Sequence, residues 1–452
     1  MAKKNYTERI LFSPIGNTDP VRDFFDGGCL HIVRHYHPDK VLLFFTKDEG
    51  KKEPIMVEAI KNVYNNCEIL PSIKTAIVKP HLYDEFKKAF PEAINKLHEQ
   101  YPEAEILLNL SSGTPAMKGI LAILSVETDY CLGIQVESTR KSSNIDNPAV
   151  KTIDDMLDML KNNFDDLPEA SNRCTEPELQ IVRYYSEKNR ILALIDHYEY
   201  HSAWYLARNS DNIPESVKLL LEHAAWRMKL LPDKAKKVMS SYEGKKLFPF
   251  DDKTVKLVEY FQLIQIAQKE NALSEVLLKS IPFMYELLLY YLKSQSSNLP
   301  SSVSSLWKTK WMERKQLSSV SPDFLKFLDN EFGHFRDSEL SFRLLEQLCI
   351  FIKAAKLLPE TETGRHNAIL RKIEKVNKTN GLRNEAAHII CNIQEEEFRE
   401  RTGMGSGELV GNFYQLLQLI VDQKRIKNFG YIYDRINLWI SQELLKSESN
   451  LE

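Results

Sequence analysis

Arg383, Asn384 and His388 offer a guanidinium, an amide and an imidazole inside the run Arg383-Asn384-Glu385-Ala386-Ala387-His388. These are the groups that RNA cleavage without a metal requires. A guanidinium holds phosphate and stabilises charge growing on its oxygens, and an imidazole of ordinary pKa, about 6.5, takes or gives a proton near neutrality. Asn384 stands one turn before His388, so on a helix the two share a face. Arg383 and His388 lie about 140° apart around a helix of 3.6 residues per turn, so one helix does not aim both at one atom. A cleft between two copies of the helix does, which predicts a composite site in a symmetric homodimer. Spacing alone leaves a second reading open, with Arg383 a solvated helix charge and His388 a satisfied, partly buried imidazole.

The helix that must carry these groups, 382–392, follows the turn-forming pair Asn380-Gly381. It belongs to a run of helical periodicity over 272–294, 303–317, 322–332, 339–358, 366–378, 408–423 and 431–446, which predicts an all-α C-terminal domain over 272–452. The serine-rich stretch 294–305 predicts a surface connection. Earlier segments at 178–197, 200–209, 214–231, 233–242 and 253–270 predict an all-α middle domain over 169–271, in which Tyr184, Tyr185, Trp204, Tyr205 and Trp226 read as core. Lys308, Lys310, Arg314 and Lys315, and then Arg365, Arg371, Lys372, Lys375 and Lys378, read equally as solvated faces or as contacts for RNA backbone.

Residues 1–168 alternate short apolar runs with helical patterns. Strands are expected at 9–13, 40–46, 73–79, 105–110 and 130–137, and helices at 21–36, 54–64, 82–100, 115–126 and 153–164. Runs such as Val41-Leu42-Leu43-Phe44-Phe45 are apolar on both faces, which predicts a covered parallel sheet in an α/β, Rossmann-like domain. Two loops carry chemistry. Ser13-Pro14-Ile15-Gly16-Asn17-Thr18-Asp19-Pro20 follows the first strand, and Asn109-Leu110-Ser111-Ser112-Gly113-Thr114-Pro115-Ala116-Met117-Lys118 follows the fourth. Each ends a strand and opens a helix, where open α/β sheets bind ligands and helix N-termini expose amides to phosphate. Gly16, Asn17, Thr18, Asn109, Ser111, Ser112, Gly113, Thr114 and Lys118 are the candidate ligand residues, with Pro20 and Pro115 in first helical turns. The plainer alternative is a capped turn. No G-x-G-x-x-G or Walker motif is present, so dinucleotide and triphosphate chemistry are unsupported. His31, His35 and His37 lack a carboxylate or thiol at ligand spacing, so no metal is expected. A polar, acidic stretch at 165–177 reads as the linker out of this domain.

With 452 residues, the chain has room for two or three domains. A formal net charge of -3, with 27% charged residues, excludes a global basic field, so any RNA contact must be local. The six cysteines form no Cys-x-x-Cys pair, which fits reduced thiols in a cytosol rather than a disulfide or zinc framework. The N-terminus has no apolar leader, and the most apolar run, Phe283 to Leu292, contains Glu286 and is too short to span a bilayer. A soluble cytoplasmic protein is expected.

Taken together, the two loops and the Arg383-Asn384-to-His388 spacing resemble the CARF-HEPN ancillary ribonucleases of type III-A CRISPR systems, over essentially the whole chain. The resemblance implies a CARF sensor over 1–168, a helical insert and a HEPN nuclease over 272–452, in a homodimer. It further implies that cyclic oligoadenylate, hexa-adenylate in preference to tetra-adenylate, binds the CARF pair. Binding switches on metal-independent cleavage of single-stranded RNA by Arg383, Asn384 and His388. The activator comes from the CRISPR effector, with no stable complex expected, and the CARF site could slowly cleave its own ligand near Thr114. The alternative is a nucleotide sensor that signals to a partner or DNA without catalysis.

Overall fold

β1 (Glu8–Pro14) has Ile10, Leu11 and Phe12 fully buried, so both of its faces are covered, as a parallel sheet between helices requires. The computed structural model describes residues 6–139, 152–239, 254–389, 392–421, 426 and 431–448. Around β1 lie β2 (Val21–Arg22), β3 (Phe25–Asp26), α1 (Gly28–Tyr36), β4 (Lys40–Phe45), α2 (Glu53–Val63), β5 (Glu68–Ile69) and β6 (Ile73–Lys74). Next come α3 (Ala89–Gln100), β7 (Ala104–Asn109), α4 (Pro115–Glu127), β8 (Cys131–Val136), α5 (Ile153–Lys161) and β9 (Cys174–Thr175). The sheet runs β5-β4-β1-β7-β8-β9, with β6 also on β4. Its pairings are parallel except that of β8 with β9.

Alternate residues of the strands feed two cores. Ile10, Phe12, Leu42, Phe44, Ile106 and Leu108 meet Phe86, Phe90, Leu97 and Leu121 on one side. Leu11, Val41, Leu43, Phe45 and Leu107 meet Leu30, Val33, Met56 and Ile60 on the other. Phe90 stands edge-on to Phe12 and Phe44 at 5.4 and 5.0 Å, contacts that contribute about 0.5–1.5 kcal/mol each beyond burial. From β1 the chain builds outward to β4, then returns to the far side of β1 with β7. The carboxyl ends of β1 and β7 therefore flank the point where strand order reverses, the usual ligand crevice of such sheets.

Several local expectations change, among them the strand expected over 73–79, which is only Ile73–Lys74, and the helix expected over 82–100, which begins at Ala89. The helix expected over 21–36 begins only at Gly28, because 21–26 form a hairpin, Val21 opposite Asp26, whose turn places Asp23 and Phe24 at φ 53° and 61°. Two adjacent non-glycine residues in the left-handed region leave no clear mark in a sequence. Pro20 follows a cis bond from Asp19 and precedes this hairpin, so it does not open a helix. The stretch 165–177 is no linker: Asp165 is buried, and Cys174–Thr175 adds the edge strand β9. The chain divides into two compact units, Met1–Ser186 and Glu187–Glu452, so 169–186 packs with the first of them.

The second unit is dominated by helices. Thr254–Lys269, Leu273–Ser294, Phe342–Ala354, Glu360–Asn377 and Ser406–Ile420 share one core that includes Phe261, Leu287, Leu348, Ile373 and Phe413. Residues 303–317 are not one helix: Ser301–Ser304 is helical, Trp311–Met312 forms a ribbon with Ser338–Glu339, and Arg314–Val320 is helical again. Leu299 and Val303 are buried, so 294–305 is more than a surface connection. Helix Glu395–Thr402 has no counterpart in the sequence reading. Of the aromatics read as core, Tyr184 is buried but Tyr185 and Tyr205 are exposed. Among the described residues, no helix is long and apolar enough to cross a membrane.

Candidate ligand crevice and nuclease helix

Gly16 and Gly113 bring the two loops into backbone contact at the crevice. A Cβ built on Gly16 would lie 2.7 Å from Gly113 N and 2.9 Å from its Cα, and Gly113 itself has φ 84°. Beneath them Asp19, fully buried, ties the loops together. Its carboxylate accepts from Gly16 N at 3.0 Å, Cys29 N at 3.2 Å and Ser112 Oγ at 2.9 Å. Burial pushes the Asp19 pKa up, against these hydrogen bonds and the field of Lys52. Lys52, also buried, donates to Gly16 O at 2.8 Å.

Asn109 is equally internal. Its amide donates to Ser13 Oγ at 2.9 Å and Ser112 Oγ at 2.8 Å, and its oxygen accepts from Ser111 N at 2.9 Å and Ser112 N at 3.2 Å. Asn109 and Ser112 therefore shape the crevice from below and do not face into it. Asn109→Ala removes the acceptor of two N–H groups and a donor to two serine hydroxyls that keep other partners, and we expect β1 and β7 to lose about 2–3 kcal/mol of protection in native-state hydrogen exchange. Thr114 caps α4, accepting from Met117 N at 3.4 Å, with Pro115 in the first turn, and its hydroxyl donates to Pro80 O. Ser111 Oγ accepts from Val136 N at 2.6 Å. Asn17 is exposed and Thr18 half-buried.

A cleft of about 310 Å³ opens beside the loops, lined by Thr18, Ser111 and Lys118, by Arg22 and Phe25 of the hairpin, and by Arg173. Burial draws the Lys118 pKa down while Asp19 opposes it. Arg22, Phe25 and Arg173 escaped the sequence reading because a hairpin lay under a helical pattern and a wall of the cleft lay under a presumed linker.

Arg173 is held from behind. Its Nη2 donates to Asp165 at 2.6 Å and its Nη1 to Glu137 O at 2.9 Å, while its backbone N–H enters His31 Nε2 at 3.0 Å. His31 Nδ1 lies 3.3 Å from Asp26, which takes Arg34 Nε at 2.7 Å and Asn163 Nδ2 at 2.6 Å. Burial alone would raise the Asp165 pKa, but His31, the Asp26 N–H and Arg173 bring it down to about 2. Asp26, His31 and Asp165 have ligand atoms within 4.8 Å of one another. Two guanidinium groups already neutralise those carboxylates, and both ring nitrogens are engaged, so the donor set suits an ion-pair network and not a metal. His35 packs on His31 and His37 ends α1 in a left-handed conformation, so the three histidines do not converge on one point.

In the second unit the signature lies on helix Asn380–His388, whose first turn contains the Asn380-Gly381 pair expected as a turn before it. Leu382 is buried and Ala386 packs beside it against the core, which turns Asn384 and His388 outward on one exposed face. His388 occupies the last helical position. Residues 390–391, expected in this helix, lie outside the described residues. Arg383 is half-buried, and its Nε has no hydrogen-bond partner among the described residues. Burial pulls the Arg383 pKa down, and the neighbouring Glu346 carboxylate opposes this. Glu385 is taken by Arg401 at 2.7 Å, leaving Arg383, Asn384 and His388 as the polar groups of the signature available to a substrate. Within one copy they do not close a site.

Residues 66–174 match the family described as the Cas_Csm6 CARF domain, 177–228 the CRISPR-associated protein Csm6 6H domain, and 245–441 the Cas_Csm6 HEPN domain. An Enterococcus italicus protein described as CRISPR system endoribonuclease Csm6 is 26% identical over 439 residues, covering 94% of this chain and 97% of its own. A Mycobacterium tuberculosis protein of the same description is 31% identical over 236 residues, 49% of this chain and 54% of its own. A solved structure of Enterococcus italicus Csm6 bound to cyclic hexa-2'-fluoro-hexa-dAMP has the same fold, with a TM-score of 0.65, 24% identity, and coverage of 97% of this chain and 100% of that one.

Proposed function

The chain belongs to the Csm6 family of CARF-HEPN proteins, and we propose that it is an endoribonuclease of type III CRISPR defence switched on by cyclic oligoadenylate. The observation that carries this is the outward-facing Asn384 and His388, with Arg383 beside them, inside the segment matching the HEPN domain. In this reading the protein is a cytoplasmic homodimer whose sensor domain, expected over 1–168, runs on to Ser186 with the first compact unit, followed by a helical middle domain to 271 and a nuclease domain over 272–452. The loops around Thr18 and Thr114 receive the ring. Hexa-adenylate is favoured, in keeping with the analogue bound to the Enterococcus italicus protein. The ring reaches the protein free in solution, from an effector complex to which this chain does not stay bound.

Cleavage then follows from the groups present. Two helices facing across the dimer supply two copies of each side chain. One His388 takes the proton of the ribose 2′-hydroxyl as its oxygen attacks the adjacent phosphorus. The P–O5′ bond breaks, and the other His388 gives a proton to the departing 5′ oxygen, leaving a 2′,3′-cyclic phosphate and a 5′-hydroxyl. Arg383 stabilises the charge on the crowded phosphorane, and Asn384 orients it or the imidazole. No step needs a divalent metal. The ring activates only as far as it binds the active dimer more tightly than the inactive one.

The test is a fluorogenic RNA-cleavage assay on purified protein in EDTA, with and without synthetic cyclic tetra- and hexa-adenylate. We expect strong cleavage with hexa-adenylate and little without it. Abolition by EDTA would overturn metal independence, and tight ring binding with no cleavage would favour a sensor that signals without catalysis. Slow cleavage of the ring by the CARF domain would require Thr114 or Ser111 to release a hydroxyl that the fold already engages. Ring left intact after long incubation with excess protein would remove that reading.

A further inference from the structure

We propose that a cleft lined by Phe332, His334, Arg336, Ser338, Ser341 and Arg343 holds a nucleotide of the RNA substrate beside the Arg383 helix. This rests on the reading that the second unit cuts RNA. The cleft measures about 280 Å³, close to the lower end of small-ligand sites. Its lining holds two guanidinium groups, one imidazole and two serine hydroxyls, with no carboxylate. That donor set suits a phosphodiester, with a fixed fork for its oxygens.

The floor is prearranged. Asp329 accepts from Phe335 N at 2.8 Å and pairs with Arg314, which also donates to Phe335 O at 3.1 Å. Arg314 N donates to Asp337 at 2.7 Å, and Ser338 is fixed opposite Met312 in the ribbon. Arg314, flagged in the sequence as a possible RNA contact, is thus spent on holding the loop that presents His334 and Arg336. Arg336 is exposed and makes no hydrogen bond or ion pair among the described residues, while Arg343 lies over the Phe332 ring at 4.8 Å. The ring supplies an apolar wall against which a base can stack.

The cleft adjoins the signature through Glu346. Arg343 and Glu346 are one turn apart on helix Phe342–Ala354, and Glu346 senses the charges of both Arg343 and Arg383. It is also held by Asn377, at the end of the helix preceding the signature. A strand whose scissile phosphate sits at Arg383 therefore has a second cationic station one carboxylate away.

The experiment uses the full chain with cyclic hexa-adenylate. Binding of a labelled 12-nucleotide single-stranded RNA is followed by anisotropy in the His388→Ala background, and cleavage kinetics in the otherwise unchanged protein. Arg336→Ala with Arg343→Ala should raise Kd roughly tenfold and reduce the salt slope of log K by about 1.4, two phosphate contacts' worth on a single strand. KM should rise with kcat unchanged, Arg343→Lys should retain the salt slope but recover only part of the binding because an ammonium lacks the fork, and Lys326→Ala should change nothing. Unchanged Kd and slope in the double variant, with cleavage intact, would overturn the subsite while leaving the nuclease reading in place. A halved solution mass of Arg336→Ala, whose side chain supports nothing in the fold, would overturn it in favour of an interface between copies. Wild-type protein that neither binds nor cuts RNA would overturn both readings.

Discussion

His388→Ala lowers ring-stimulated RNA cleavage by roughly a hundred- to ten-thousand-fold, the usual range for removing a general acid-base group, and leaves ring affinity unchanged. The argument rests on where the imidazole stands. It is exposed at the last position of helix Asn380–His388, and no hydrogen bond or ion pair holds it among the described residues. Its loss should alter stability by no more than about 0.5 kcal/mol, so lost activity cannot be put down to unfolding. The loops proposed to receive the ring belong to the other compact unit. A variant that cleaves at the wild-type rate would remove His388 from the mechanism. Arg383→Ala is a poorer first test, because a half-buried guanidinium also packs and its removal confounds chemistry with structure.

Gly16→Ala weakens the response to the ring at least about a hundredfold while leaving the helical unit folded. The added methyl would meet Gly113 N and Cα, both backbone, so no side chain can swing away and one loop must move. Movement breaks the Asp19 bridge, which depends on Gly16 N and Ser112 Oγ together. A displacement near 1 Å at such a site costs about a hundredfold, and we expect at least that rise in the ring concentration needed for half activation. Gly50→Ala, whose Cβ would meet nothing within 4 Å, serves as the control. Wild-type ring affinity in Gly16→Ala would show that the two loops need not touch for binding.

Most of the α/β domain was legible because its strands are apolar on both faces and bounded by helical periodicity. Residues 9–13, 40–46, 105–110 and 130–137 all became strands of the sheet. The hairpin at 21–26 was hidden because two-residue strands carry too little pattern to be read, and Phe24-Phe25 looks like part of an amphipathic helix. The acidic stretch after α5 misled for a different reason. Asp165 and Asp166 look solvated in sequence, and only the fold supplies Arg173 and Arg34 as their partners. Among the ligand-loop residues, types were readable but directions were not. Asn109 and Ser112 are as polar as Thr18 and Lys118, yet they point into the protein because the loop closes over them. The signature helix was legible as a pattern, and its outward face follows from Leu382 and Ala386 facing inward.

Arg173 bears on where a sensor could be cut free of its effector. A fragment ending at residue 168 looks natural from sequence, yet it would discard the guanidinium that walls the cleft, the edge strand β9 and the partner of Asp165. Asp26 and His31 would stay behind with their network broken, and the hairpin with them. A biosensor or chimera built from this domain should therefore carry the chain through Ser186, where the first compact unit ends. Grafts that stop earlier would inherit the candidate ligand loops without Arg173 and β9, which complete the cleft wall and the sheet edge beside them.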